Sequence, residues 1–486
     1  MKRLGIGLCG CILAWSLSPS ADAGDSAGTK YSSTNGAILN VDLSRNGADL
    51  AASVPDIALD PRDFLHIVAV WRTTAMSTEP NTSSRRFVCH LSISMDGGVS
   101  FSDEVINWNT PDTPQCNAPY ADFAANGDLY IGATLAGQGP LNPPPGFHAY
   151  GRAAIRKSSD GGRTWSPVAS VIASDSLARF APNASIPEAA KHTPWDGARG
   201  VVDRSTGDIY VAGGYPAPPG GADHSQRFYS VSHDGGATWG AIRALGSTDW
   251  PQRWDGRIIA AHGKLALTYI AAAAPGMRDC LCVVFATSSD GGVTLKRGLV
   301  TQVSHVDTLV HYPPLAADPS RQGVYAIALA SDDRTGLIIL ASSDDGATWT
   351  EPARVRMPAG VLRVSRPAIT FTPDGALIAM WRGQHADGSY DVYMAAGPHG
   401  RYFGPPVRVT TASSRTPERL MSDYAVRGDF INVVKAGPDF VHAAWTDWRT
   451  GTEARVVYGR VPLTLLLEPT PSGQPADAQQ PRPDRP

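Results

Sequence analysis

The sequence predicts an all-β fold, a seven-bladed β-propeller of four-stranded antiparallel blades, with six blades as the alternative count. Three observations carry this. An eight-residue box is written five times, as SMDGGVSF (94–101), SSDGGRTW (158–165), SHDGGATW (232–239), SSDGGVTL (288–295) and SSDDGATW (342–349). A second unit, two short apolar runs around a Gly or Asp-Pro turn, recurs seven times between residues 56 and 445. The chain of 486 residues also holds 49 Gly and 39 Pro but only 18% charged residues, a balance that suits short strands joined by turns better than helices. Recurrence of one pattern is the mark of a repeat architecture.

The chain opens on a secretory signal. Lys2 and Arg3 give a positive start, LGIGLCGCILAWSL (4–17) is the apolar core, and ADA (21–23) is a small-x-small cleavage site. The mature chain then begins at Gly24, in the periplasm or outside the cell. A membrane anchor is the competing reading, but the run is short and no later segment reaches 18 apolar residues. LCGC (8–11) is a loose match to a lipoprotein box. Net charge is −3, which gives no electrostatic case for nucleic acid or an anionic membrane.

Residues 24–54 are polar and are expected to pack late or loosely. The propeller is assigned to residues 55–465. Its upstream units are DIALDPRDFLHIVAVW (56–71), YADFAANGDLYIGA (120–133), RGVVDRSTGDIYVAG (199–213), RIIAAHGKLALTYI (257–270), YPPLAADPSRQGVYAIAL (312–329), RPAITFTPDGALIAMW (366–381) and DFINVVKAGPDFVHAAW (429–445). The first five are each followed by a box between two strand-like runs, so two strands upstream and two around the box complete a blade. The sixth is followed by a decayed box (393–406), and the seventh by RVVYGRV (455–461) with no box. The remainder, 466–486, is Pro- and Gln-rich and expected to be disordered.

The box reads as a hairpin turn. Its Asp accepts hydrogen bonds from turn N–H groups, its Ser or Thr closes the turn, Gly supplies backbone freedom, and the terminal Trp or Phe plugs the space between sheets. Of the four cysteines beyond the cleavage site, Cys89 and Cys116 are expected to pair locally in an oxidising compartment. Cys280 and Cys282, two apart on a strand and without further ligands at metal spacing, are expected to be buried free thiols.

These boxes resemble the Asp-boxes, or BNR repeats, of the sialidase superfamily. The resemblance implies that the boxes are structural and sit on the face away from the active site, so Asp96, Asp160, Asp234, Asp290 and Asp344 are not catalytic. The chemistry then belongs at the other mouth, where the residues opening the seven inner strands read Asp56, Tyr120, Arg199, Arg257, Tyr312, Arg366 and Asp429. Arg366-Pro367 is similar to the family's Arg-Ile-Pro without the Ile, and Arg382 ends the following strand, as Arg72 does in blade one. In sialidases three arginines clamp the substrate carboxylate with paired hydrogen bonds, an Asp is acid/base, and a Tyr activated by a Glu is the nucleophile. Here the place before the first box carries Asp56, and only Glu188 and Glu418 lie near an inner-strand opening, Glu418 close to Tyr424.

Other motifs have two readings each. TPWDGARG (193–200) and RWDGR (253–257) echo one another: Trp195 and Trp254 can stack on a sugar while Asp196 and Asp255 bind hydroxyls, or Trp-Asp-Gly is an inter-blade turn. His311 can be a base or a funnel-wall residue. DPRD (60–63) and SDDRTG (331–336) offer oxygen ligands for a structural Ca²⁺ or are solvated turns; no other cofactor and no catalytic metal is expected.

Three functions follow. The first is a sialidase-like glycoside hydrolase on an acidic glycan. Arg199, Arg257 and Arg366, with Arg382, bind the carboxylate; Asp56 or Asp429 is acid/base; Tyr120, Tyr312 or Tyr424 is the nucleophile. The second is a non-catalytic propeller that binds glycan or protein. The third is a polysaccharide lyase, with Tyr or His abstracting a proton beside a uronate carboxylate. A carbohydrate ligand and a monomeric protein are expected.

Overall fold

Each of the first six upstream units and the two strands after it fold into one antiparallel sheet, because four short apolar-alternating strands joined by tight turns can only bury both faces between neighbours of the same kind. The computed structural model describes residues 30–32, 37–44, 50–75, 87–102, 104–106, 115–136, 151–173, 196–215, 226–254, 256–304, 313–398, 402–416 and 433–467. Seven sheets form the ring. Blade one is Leu50–Asp60, Asp63–Ala75, Phe87–Ser94 and Glu104–Val105; blade two is Gln115–Phe123, Leu129–Ala136, Gly151–Ser158 and Ala169–Ala173. Blade three is Asp196–Val202, Ile209–Tyr215, Gln226–Ser232 and Arg243–Ala244. Blade four has an inner strand in two pieces, Gln252–Trp254 and Ile258–Ala261, then Lys264–Ala271, Cys282–Ser288 and Lys296–Gln302. Blade five is Leu315–Ala317, Tyr325–Ala330, Leu337–Ser342 and Ala353–Val355; blade six is Arg363–Phe371, Ala376–Gln384, Tyr390–Pro398 and Val407–Arg408.

Blade seven decides the count. Its first three strands are Val433–Ala436, Phe440–Asp447 and Arg455–Pro462, and its fourth is Leu39–Asp42 from the other end of the chain, with Lys30–Ser32 beyond it. The expectation of a loosely packed 24–54 is corrected on this point. Leu39 pairs with Arg460 and Asp42 with Val457, Val41 is fully buried, and buried Asn40 donates to the Val409 carbonyl at 3.1 Å and accepts from the Thr411 N–H at 3.1 Å. Polar composition hid a strand because its two buried polar side chains, Asn40 and Asp42, are both hydrogen-bonded, Asp42 accepting from the Ser44 N–H at 3.0 Å.

The first strands of successive blades lie against one another around the ring and therefore line the axis. Seven apolar clusters fill the seven spaces between blades, and the large last residue of each box enters one of them: Phe101, Trp165, Trp239, Leu295 and Trp349. Each box turns the third strand into the fourth, at the end opposite the inner-strand openings. In the first, Ser94 Oγ donates to Asp96 Oδ1 at 2.8 Å, Oδ1 also accepts from the Val99 and Ser100 N–H groups, and Oδ2 takes the Ser100 hydroxyl at 2.6 Å. The same bonds recur around Asp160, Asp234, Asp290 and Asp344. Hydrogen bonds from Thr164 and Ser158 hold the Asp160 carboxyl down at about 2. These carboxylates are consumed by their own turns.

The second residue after each box Asp is where the box meets the previous blade. Gly98 has φ +86°, and a Cβ there would lie 2.0 Å from the hydroxyl of Tyr458, a fully buried residue of blade seven. Gly98→Ala therefore combines a left-handed backbone penalty of about 1–2 kcal/mol with overpacking of about 1–3 kcal/mol. Gly207→Ala, at φ +83° with nothing within 4 Å, carries the backbone penalty alone. Thermal melting should show the larger loss for Gly98→Ala; equal losses would mean that Tyr458 moves aside.

Cys89 and Cys116 are joined, tying blade one to blade two. Cys280 and Cys282 are also joined, with Cα atoms 5.3 Å apart, which corrects the expectation of free thiols. Cys280 lies before the third strand of blade four begins at Cys282, next to Asp279 at φ 52°, so the chain there is not extended and the two side chains can meet.

Candidate functional site

The inner strands open on a shared distortion. Register slips between Ser53 and Asp56, Asn117 and Tyr120, Asp196 and Arg199, and Ser365 and Ala368. Within each bulge one residue has positive φ: Val54 at 56°, Ala118 at 47°, Gly197 at 70° and Arg366 at 54°. A β-branched or long side chain in that region is strained, and a bulge re-aims the residue after it. The re-aimed residues are Asp56, Tyr120, Arg199 and Ala368. Blade four reaches the same place through Gly256, where a Cβ would lie 1.2 Å from the Thr268 carbonyl oxygen. Arg257 follows, its carbonyl accepting from the Thr268 N–H at 2.9 Å.

Asp56, Arg199 and Arg257 are thus brought together at one end of the axis. All three are partly exposed. Burial pushes the Asp56 carboxyl above the ordinary carboxylate range, against the pull of Lys435, Arg257 and Arg199 in that order. Lys435 sits on the inner strand of blade seven, opposite His442 in the register. Beside this group a cleft opens between blades three and four, lined by Arg199, Arg257 and Arg227 with Ile258, Leu267 and Leu245. Arg227 is the second residue of the third strand of blade three and is 5% exposed.

Two assignments are corrected. Tyr120 is 1% exposed and turned into the space between blades two and three, in a slot left by Gly132 and Gly200, with its hydroxyl donating to the Ala154 carbonyl at 3.2 Å. Desolvation raises its pKa further, so it is a packing residue and not a nucleophile. Arg366 is not equivalent to Arg199 and Arg257; it occupies the bulge, two positions earlier, at 3% exposure. Arg382 pairs with Ser365 beside it, lies 4.1 Å from the Tyr390 ring and donates to the Thr446 carbonyl at 3.4 Å. Arg72 repeats that arrangement in blade one, paired with Ser53, 4.5 Å from the Phe87 ring and bonded to Asn117. Both arginines tie a blade to the next one at the mouth.

Asp196 stands opposite Gly214 and Trp254 opposite Ile270 in their sheets. Trp195, Asp255, His311, Tyr312, Glu188, Glu418, Tyr424 and Asp429 lie outside the described residues. In the two Asp-rich loops the carboxylates have neighbours of their own: Asp60 is paired with Arg62 and His66, and Asp333 accepts from Ser331 and Thr335. Among the described residues no group of three or more His, Cys, Asp or Glu is placed to hold a metal ion. Arg227 and Lys435 are the site residues that the sequence did not mark.

Fold and site together define a seven-bladed propeller with a cationic, carboxyl-bearing mouth. No protein-family model and no curated protein sequence matches the chain. Among solved structures it is similar to a Hadza microbial sialidase, at 13% identity over 82% of this chain and 77% of that one, with a TM-score of 0.46. It is likewise similar to the α-L-arabinanase of Penicillium chrysogenum, at 13% identity over 90% and 100% with a TM-score of 0.45, and to the leech intramolecular trans-sialidase, at 10% over 90% and 97% with a TM-score of 0.45. At these identities the likeness is one of fold alone.

Proposed function

We propose that the protein is a glycoside hydrolase acting on an acidic glycan, exported as its N-terminus predicts. The observation that carries this is Asp56: a carboxyl with a raised pKa, aimed into the axial mouth by a strained bulge, with Arg199 and Arg257 beside it. A carboxyl that keeps its proton to higher pH suits a general acid for the glycosidic oxygen. Guanidinium groups in a partly desolvated site hold a sugar carboxylate or sulfate through charge-assisted bonds. The second group of the reaction, a nucleophile or a base for water, is assigned to Asp429, Tyr312 or Tyr424 with Glu418. The two disulfides support an oxidising destination.

The burial of Tyr120 favours a second reading, a mouth that binds an acidic glycan without cleaving it. One assay separates them. The chain lacking residues 1–23 is offered an aryl α-sialoside, an aryl β-glucuronide and the neutral aryl β-glucoside, beside Arg257→Ala. Release from an acidic glycoside, with KM raised at least about tenfold in the variant, is the expected result. Binding without release supports the second reading. An unsaturated, ultraviolet-absorbing product from a uronate polymer would indicate a lyase. Equal release from the neutral glycoside would remove the arginines from substrate binding.

A further inference from the structure

We propose that the Cys280–Cys282 bridge positions the mouth: it holds the start of the inner strand of blade four, and with it Arg257, in the form that receives an acidic ligand. Its part in binding rests on the reading of the mouth just given. The bridge joins residues 2 apart in sequence, whereas Cys89–Cys116 spans 27 and ties two blades. A crosslink stabilises a fold mainly by restricting the unfolded chain, and the restriction grows with the loop that it closes. The shorter bridge therefore adds least to the stability of the whole ring. What it fixes is the course of the chain around it.

That course lies at the mouth. The inner strand of blade four starts there with Gln252, paired with Ala271, the last residue of the second strand; Cys282 pairs with Ala271 from the other side. The Cys280 N–H donates to the Ala272 carbonyl at 3.0 Å, and the Ala272 N–H donates to the Pro251 carbonyl at 2.9 Å. Two hydrogen bonds thus lead from the bridge to the residue before the inner strand. Arg257 lies in the break between the two pieces of that strand, so its placement depends on how firmly the first piece is held. Asp279 stands exposed at φ 52°, a conformation that is strained for an L residue, and the bridge closes directly beside it. Cys280 and Cys282 are 1% and 0% exposed and belong to the apolar cluster between blades three and four. Leu245, Ile258 and Leu267 of the same cluster wall the cleft beside Arg257. With the bridge open, Asp279 can leave its strained conformation and Cys280 can leave the cluster. The hold on Pro251 and the apolar wall then slacken together.

The test compares the chain without residues 1–23 with two double variants, Cys280→Ala/Cys282→Ala and Cys89→Ala/Cys116→Ala. The readouts are amide hydrogen exchange, melting, and binding of an aryl α-sialoside and an aryl β-glucuronide. With Cys280→Ala/Cys282→Ala, exchange should quicken at least about tenfold in residues 250–257 and 272–282 and stay unchanged in the box hairpin 288–295 at the far end of the blade. Kd for the acidic glycoside should rise at least about fivefold, while melting falls less than in Cys89→Ala/Cys116→Ala. Wild type reduced by dithiothreitol keeps every side chain: the S–S bond gives two thiols as the reagent closes to its cyclic disulfide. The same changes there, with the opened bridge mapped by alkylation, assign the effect to the link rather than to lost volume, and they stand in for the variant if it does not fold. Unchanged exchange in residues 250–257 with the bridge open overturns the proposal, as does faster exchange with an unchanged Kd. A wild type that binds neither glycoside overturns the reading of the mouth and the bridge's part in binding, while exchange still shows whether the bridge holds the strand.

Discussion

Asp56→Asn should abolish turnover of an acidic glycoside and at the same time make the protein harder to melt at neutral pH. A general acid contributes about 10²–10⁴-fold, and an amide cannot supply its proton. The stability gain follows from the direction of the Asp56 shift. Its native pKa lies above the ordinary 3.8 because burial outweighs Lys435, Arg257 and Arg199. Between about pH 4 and that raised value the native state binds a proton that the unfolded chain has released. Stability therefore falls as pH rises through this window and stays at the lower level above it. Asn does not titrate, so the variant should melt above wild type at about pH 7.5 and alongside it near pH 3. A variant that melts lower at neutral pH would show that the surrounding cations, not burial, set the state of Asp56.

Removing residues 24–44 should open the ring. Ile38, Val41 and Leu43 are 5%, 0% and 3% exposed, and losing such side chains forfeits about 1.5–3 kcal/mol each. That sum rivals the whole stability of many domains. Beyond it, the third strand of blade seven becomes a bare edge, Thr411 and Val409 lose Asn40, and Ser44 no longer accepts from the Val456 N–H. The expected product is soluble only with a chaperone or aggregated, as exposed edges are. A synthetic peptide covering residues 37–44 should restore a cooperative melting transition by adding the missing strand in trans. A truncated chain that melts like the full one would mean that three strands suffice for blade seven.

The blades were legible because each repeats a turn whose chemistry is local. Asp96 and its four counterparts satisfy their own hairpins, so the pattern survives in the sequence wherever the hairpin does. The mouth was legible only in part, and the reason is the bulge. Taking Arg366 as the residue that opens its strand placed it level with Asp56, whereas the register puts Ala368 there; Asp56 and Ala368 each follow the slip, and Arg366 lies within it. Tyr120 opens its strand as Asp56 does, but Gly132 and Gly200 leave a slot that draws its ring sideways, and only packing between blades reveals the slot. Arg227 escaped notice because it lies on a third strand, and Lys435 because it lies two residues along an inner strand from Val433. The fourth strand of blade seven had a visible clue in a seventh unit that stopped one strand short.

Because the last blade is completed by Leu39–Asp42, a strand made before any blade, the order of synthesis and the order of closure run in opposite directions. Ser44 waits for Val456, 412 residues later, which at ordinary translation rates is roughly 20–80 s. Until then every shorter nascent chain carries an unsealed end at each side and none is a smaller version of the finished ring. Release of the chain, not the folding of any one blade, is therefore the event that commits it, and a product terminated even one strand early remains recognisable to proteases as unfinished.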